Sequence, residues 1–232
     1  MEKQKGIFYA VGVGPGDPEL LTRQACRVLT QCEVIAAPQT ASGQMLALEI
    51  ARGAVSLEGK TILPLAFTMS RDAAAREKSY RAAASLIEAE LRRGRSAAMV
   101  NLGDVSVYAT AYYILDIIRA DGYETVMAPG VTSFCAVAAA LGRSLTEPEA
   151  PLHVYPAGKT DLDTALAQPG TKVLMKSGSA MAATAQALER QGLAGKSAMV
   201  ADCGLPTEQV FRTMEDLPEK ISYFATVIVP EK

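Results

Sequence analysis

The chain has 232 residues, 49% of them hydrophobic and 21% charged, enough apolar material for one large globular domain or two small ones. Its net charge of −2 carries no global pull toward nucleic acid or an anionic membrane. Four cysteines without a CxxC pair and a single histidine, His153, argue against a protein-ligated metal site and suit a reducing cytoplasm.

The start, MEKQKG, has no signal-peptide pattern and leads into a strand predicted over Ile7–Val13. A helix follows from Pro18 to about Gln31, with Asp17 as N-cap and Pro18 at its first position. Val34–Ala37 reads as a second strand, Gln44–Arg52 as a short helix and Thr61–Leu65 as a third strand. A long helix is expected from Asp72 to Arg93, with Tyr80, Ala83, Ala84, Ile87 and Leu91 on one stripe. The basic cluster Arg92-Arg93-Gly94-Arg95 then marks a helix end with a glycine stop. Strands Ala97–Leu102 and Tyr123–Ala128 enclose a helix over Val107–Ala120, and a last helix runs to Leu141. The most apolar stretch, Val131–Leu141, is interrupted by Thr132 and Ser133 and falls short of the about 20 residues that span a bilayer. Near-continuous apolar strands separated by helices mean a parallel sheet covered on both faces.

GRSLTEPEAP, from Gly142 to Pro151, breaks this rhythm and reads as a linker. Beyond it come strands at Leu152–Tyr155, Lys172–Met175 and Ser197–Ala201, with a helix over Ala180–Gln191. Gln209–Thr213 and Tyr223–Val229 look like strands joined by a short acidic turn, an antiparallel element in a mixed sheet. The expected organisation is therefore two α/β domains, 1–143 with a mainly parallel sheet and 150–232 with a mixed one, flanking a ligand cleft.

Three loops at carboxyl ends of first-domain strands, where open α/β sheets bind ligands, carry the chemistry. Gly12–Asp17 alternates glycines but is no G-x-G-x-x-G fingerprint, because Pro15 removes a donor and the Asp17 carboxylate already occupies the helix start. A phosphate cradle is disfavoured; a plain tight turn and cap, or a wall for another ligand, stay open. Leu102-Gly103-Asp104-Val105-Ser106-Val107-Tyr108 offers a carboxylate that either caps the next helix or faces a cationic group. Pro129-Gly130-Val131-Thr132-Ser133-Phe134 offers two hydroxyls with the same two readings. His153, Cys135, Met69, Met99 and Met127 read as packing or surface residues, and Lys176, ending an apolar strand, as a possible contact of the cleft.

Taken in order, GVGPGDPELLT, LGDVSVYAT, PGVTSFCA, VLMK and DCGLP resemble the tetrapyrrole methylase family over essentially the whole chain. That resemblance implies a two-domain, S-adenosylmethionine-dependent methyltransferase that is a cytoplasmic homodimer, with no nucleic-acid or membrane partner. GDVSVYAT, MK before a small-residue turn, CGLP and YFATVIV look most like the branch that methylates C20 of precorrin-2 or cobalt-factor II in cobalamin biosynthesis; the same chemistry at another ring position is the alternative. By the resemblance, the cofactor contacts are Pro15, Leu102, Gly103, Asp104, Val107, Thr132, Ser133, Met175 and Gly204. Asp104 is the first candidate for orienting the cofactor. Arg71, Arg143 and Lys176 are basic candidates for the substrate's carboxylate arms. Pro38 departs from the acidic residue that many relatives carry at the end of strand two, and Asp202 and Leu205 depart from an Asn-Cys-Gly-Met pattern. An NAD-dependent reductase would also need an acidic residue where Pro38 stands.

Overall fold

The computed structural model describes residues 5–68, 70, 72–215, 217–218 and 220–231; Met69 and Arg71 lie outside them. The chain divides into two compact units, Met1–Thr132 and Ser133–Lys232.

The first unit is built on five parallel strands: β1 (Phe8–Gly12), β2 (Val34–Gln39), β3 (Thr61–Ala66), β4 (Ala97–Asn101) and β5 (Thr125–Ala128). Their order across the sheet is β3-β2-β4-β1-β5. Every residue of β4 is buried, as a central parallel strand covered on both faces requires. Helices α3 (Ala73–Arg92) and α4 (Thr110–Ala120) bury Ala84, Ile87, Leu91, Ile114 and Leu115 against Phe8, Ala10, Ala36 and Met99. Helices α1 (Arg23–Gln31) and α2 (Leu46–Ala54) pack on β1 and β2. Asp72 caps α3 by accepting from the Ala74 amide at 3.0 Å, and Gly94, at φ +82°, ends it as the basic cluster predicts.

One predicted helix is two elements. Asp17 does cap a turn, Pro18–Leu20, accepting from the Glu19 amide at 2.8 Å. Leu21 then returns to extended backbone, and Thr22 caps α1 afresh through the Ala25 amide at 3.1 Å. A second N-cap three residues into an apolar run outcompetes one long helix because it satisfies that helix's free amides directly.

The second unit carries β6 (Leu152–Pro156), β7 (Thr171–Met175), β8 (Ala198–Ala201), β9 (Gln209–Phe211) and β10 (Ala225–Val229), in the order β6-β7-β10-β8-β9. Among the described residues only β6 and β7 pair in parallel in this sheet; β10 is antiparallel to both of its neighbours, so the sheet is mixed. The last two strands do not pair with each other, because β10 inserts between β7 and β8 while β9 takes the edge. Helix α7 (Met181–Arg190) was expected; α6 (Leu162–Ala167) was not. Leu166, Leu174, Leu188, Met199 and Val227 share the core.

The division between units falls ahead of the Gly142–Pro151 linker. Helix α5 (Ser133–Leu141) packs against β8 and β10, and Arg212 Nη1 donates to the Leu141 carbonyl at 3.3 Å. The short polar segment after α5 is thus internal to the second unit. Cys135, expected in the core, is exposed on α5, whose buried side is Ala136, Val137, Ala138 and Leu141.

Candidate functional site

The order β4-β1-β5 puts the loops after these three strands side by side, although they lie near residues 14, 104 and 130 in the sequence. Val13 extends the β1–β4 ladder by donating to the Asn101 carbonyl at 2.9 Å. Beyond it, Gly14 and Gly103 exchange backbone bonds of 3.2 and 2.7 Å in both directions. A Cβ on Gly12 would stand 2.6 Å from the Gly130 nitrogen and 2.7 Å from the Gly103 carbonyl oxygen. One on Gly130 would stand 2.3 Å from that same oxygen. The alternating glycines therefore let three loops touch one another, a role that neither a phosphate cradle nor a simple cap requires.

Asp104 closes this junction. It is buried, 8% exposed. Its Oδ2 accepts from the Gly130 amide at 2.8 Å, and its Oδ1 accepts from the Ser106 amide at 2.8 Å and from the Ser106 hydroxyl. Burial pushes its carboxyl upward, but the hydrogen bonds from Ser106 and Gly130 outweigh that and hold it below the ordinary carboxylate range. Asp104 is thus an ionised clamp between the second and third loops. The helix-cap alternative does not hold, since α4 begins at Thr110 and its N-cap is Ala109.

Two residues that sequence reasoning passed over shape the same place. Asn101, at the end of β4, donates to the carbonyls of Leu102 at 2.8 Å and Asp104 at 3.3 Å. Thr22 accepts from Ala25 and donates to the Pro129 carbonyl at 3.1 Å, tying the first helix to the third loop. A polar residue closing an apolar strand and a threonine at a helix start were their only local signals.

Pro15 is buried in the first loop, and Leu102 and Val107 are half-buried in the second. Two features leave room for a ligand. Gly103 is buried at φ +73°, yet a Cβ there would meet nothing within 4 Å. The Thr132 hydroxyl oxygen is buried without a hydrogen-bond partner among the described residues, an arrangement that costs about 1–3 kcal/mol unless something supplies the bond. Thr132 ends the first unit and Ser133 begins α5. Arg143 stands beyond the far end of α5, its amide bonded to the Ala138 carbonyl at 3.1 Å. Arg71 lies outside the described residues.

In the second unit Met175 ends β7, half-buried, and Lys176 follows, exposed, at φ +56°. After β8, Asp202 stands at φ +53° and Gly204 at +79°. Asp202 Oδ2 accepts from Thr207 Oγ1 at 2.9 Å and its Oδ1 accepts from the Ser222 hydroxyl. Cys203 is buried beside Glu208, and burial first, then that carboxylate, pushes its thiol up to about 12. Burial and Glu33 do the same to Cys32, so neither thiol is a ready nucleophile. His153 stacks on Tyr155 and bonds the Pro169 carbonyl at 3.0 Å through Nε2. Among the described residues no cluster of His, Cys, Asp and Glu suits a metal ion, and no helix is long and apolar enough to cross a membrane.

The chain as a whole is similar to known proteins. The profile of the tetrapyrrole (corrin/porphyrin) methylases matches residues 8–218. The cobalt-precorrin-2 C(20)-methyltransferase of Salmonella typhimurium is 31% identical over 229 residues, covering 97% of this chain and 96% of that protein. A solved cobalt precorrin-4 methyltransferase superposes with a TM-score of 0.76 at 20% identity, covering 97% of this chain and 94% of its own. The uroporphyrin-III C-methyltransferase of Thermus thermophilus, solved in complex with S-adenosylhomocysteine, superposes with a TM-score of 0.69 at 20% identity, over 96% of this chain and 97% of its own. With nearly its whole length matched, the chain belongs to the tetrapyrrole (corrin/porphyrin) methylases.

Proposed function

We infer that this chain is an S-adenosylmethionine-dependent methyltransferase that methylates C20 of precorrin-2 or its cobalt-bearing counterpart in cobalamin biosynthesis. The observation that carries this reading is the 31% identity, end to end, with a relative named for that position. The family resemblance adds a homodimeric assembly and a cytoplasmic setting.

S-adenosylmethionine would supply a sulfonium methyl to the electron-rich C20, its S–CH3 bond breaking to leave S-adenosylhomocysteine as C20 gives up its proton to solvent, so the protein's task is placement rather than nucleophilic attack. Placement is a large effect, up to about 7–11 kcal/mol in favourable cases. The glycine junction fixes the three loops relative to one another, and rigid backbone positions a ligand without paying to order it. The space over Gly103 and the orphaned Thr132 hydroxyl fit a polar cofactor portion lying across the second and third loops. The ionised Asp104 clamp contributes fixed negative charge where the second and third loops meet, which suits a cationic sulfonium. Pro15, Leu102 and Val107 furnish apolar wall, Ser133 a second hydroxyl, and Met175 and Gly204 complete the proposed cofactor set.

The test is calorimetry with S-adenosylhomocysteine, then methylation assays on precorrin-2 and cobalt-factor II with the product's methyl located by NMR. The expected result is cofactor-product binding and a single new methyl at C20. Binding without transfer, or a methyl at another carbon, overturns the assignment.

A further inference from the structure

The second loop of the candidate site hangs from one polar side chain. Strand β4 is buried throughout and apolar up to its last residue, Asn101, which is 8% exposed. A buried carboxamide costs stability unless it is hydrogen-bonded. Here the two hydrogens of Nδ2 meet two acceptors, the Leu102 carbonyl at 2.8 Å and the Asp104 carbonyl at 3.3 Å. The backbone carbonyl of Asn101 accepts from the Val13 amide at 2.9 Å, so the residue is also tied to the chain leaving β1.

The carbonyl between those two acceptors is engaged as well. Gly103 accepts from the Gly14 amide at 3.2 Å and donates to the Gly14 carbonyl at 2.7 Å. Three successive peptide planes, those carrying the Leu102, Gly103 and Asp104 carbonyls, are therefore held by hydrogen bonds, two of them by the Asn101 side chain. Side-chain packing does not share this role at the middle residue, since Gly103 has φ +73° and a Cβ there would meet nothing within 4 Å. Glycine has the widest backbone freedom of any residue, so the direction of the loop depends on these bonds. The same peptide planes lead into the Asp104 side chain, whose Oδ2 accepts from the Gly130 amide at 2.8 Å. A shift at Asn101 is thus passed on to the contact between the second and third loops.

We propose that Asn101 is a positioning residue for the methyl transfer, fixing the Leu102–Asp104 loop against which the cofactor lies. This rests on the methylase reading for the reaction, while the role of Asn101 is an addition to it. Asn101 acts through the loop and not on the reacting atoms, so its removal changes where the methyl stands more than whether the cofactor binds. Misplacement by about 1 Å can lower a rate by about a hundredfold. A side chain that only holds the fold together would, on removal, lower stability and leave the transfer rate of the folded protein unchanged.

The experiment compares the full chain with Asn101→Ala, which loses both bonds, and Asn101→Asp, which keeps the shape but turns an oxygen toward the two carbonyls. The readouts are the single-turnover rate at saturating S-adenosylmethionine and precorrin-2 or cobalt-factor II, the affinity for S-adenosylhomocysteine by calorimetry, and the thermal midpoint. In both variants the single-turnover rate falls about ten- to a hundredfold, a larger factor than the loss of S-adenosylhomocysteine affinity. Either variant binding S-adenosylhomocysteine and turning over at the parental rate overturns the proposal, whatever its thermal midpoint. A loss confined to affinity overturns it too. A parent that methylates neither tetrapyrrole overturns the functional assignment and the positioning role with it, whereas an active parent matched by its variants overturns the positioning role alone.

Discussion

The two sheets present their carboxyl edges by different physical means. In the first unit three loops are joined backbone to backbone, with Gly12, Gly103 and Gly130 in direct approach and one buried carboxylate, Asp104, as the clamp. In the second unit the loops are held by side chains: Asp202 accepts from two hydroxyls and Ser177 anchors its own strand end. Left-handed backbone there falls partly on non-glycine residues, Lys176 and Asp202. A glycine junction leaves almost no freedom for substitution but makes a rigid floor. A side-chain network tolerates exchange and can carry charge to a ligand.

The largest effect is expected where the junction is tightest. Gly130→Ala places a methyl 2.3 Å from a backbone oxygen that cannot swing away. Overpacking of this kind costs about 1–3 kcal/mol and more where backbone must shift. The variant should lose stability at the top of that range in urea unfolding and lose S-adenosylhomocysteine affinity in calorimetry. A Gly130→Ala protein of parental stability would mean that the loops do not meet as described.

A middle effect is expected at the clamp. Asp104→Asn keeps the shape but turns an amide donor toward one of the donors that the carboxylate satisfied, a loss of about 2 kcal/mol at neutral pH. The pH dependence follows from the direction of the shift. Because the folded carboxyl titrates below its unfolded value of about 4, its contribution is present above that value and disappears as pH falls through the lower, folded one. The stability difference between parent and Asp104→Asn should therefore be flat from neutral pH to about 5 and shrink in more acidic buffer. A difference that persists unchanged into acid would take the charge out of the explanation.

The smallest effect is expected at the strained lysine, and its sign is opposite. Lys176→Gly relieves the φ of +56° and should raise stability by up to about 1 kcal/mol. A thermal melt decides it: a lowered midpoint would mean that Lys176 holds its loop together, and the contrast between the two edges would weaken.

Much of this architecture was legible in the residues. Periodicity located the strands and long helices to within a few residues, because the alternation of apolar positions is a local record of which face is buried. The Asp17–Pro18 start and the Gly94 stop were readable for the same reason: a cap bonds amides two or three residues away. Thr22 as a second cap was harder to see, since one apolar run served both the turn and α1. Helix α6 was too short to display a period, and the pairing of β10 between β7 and β8 is a long-range matter that strand composition does not encode.

By itself, then, the sequence determined the strands and the long helices, the mixed character of the second sheet and, through its ordered motifs, membership of the methylase family. The tertiary structure alone decided what the motif glycines and Asp104 touch. The glycines that Gly12 approaches lie in loops on the far side of the first-unit sequence, and Asp104 reaches 26 residues ahead to the Gly130 amide, a consequence of flanking β1 with β4 and β5. Strand order brings the loops together, and close approach then selects glycine where any side chain would collide. The same logic assigned α5 to the second unit: its apolar side packs on β8 and β10, a fact of geometry that no local pattern records.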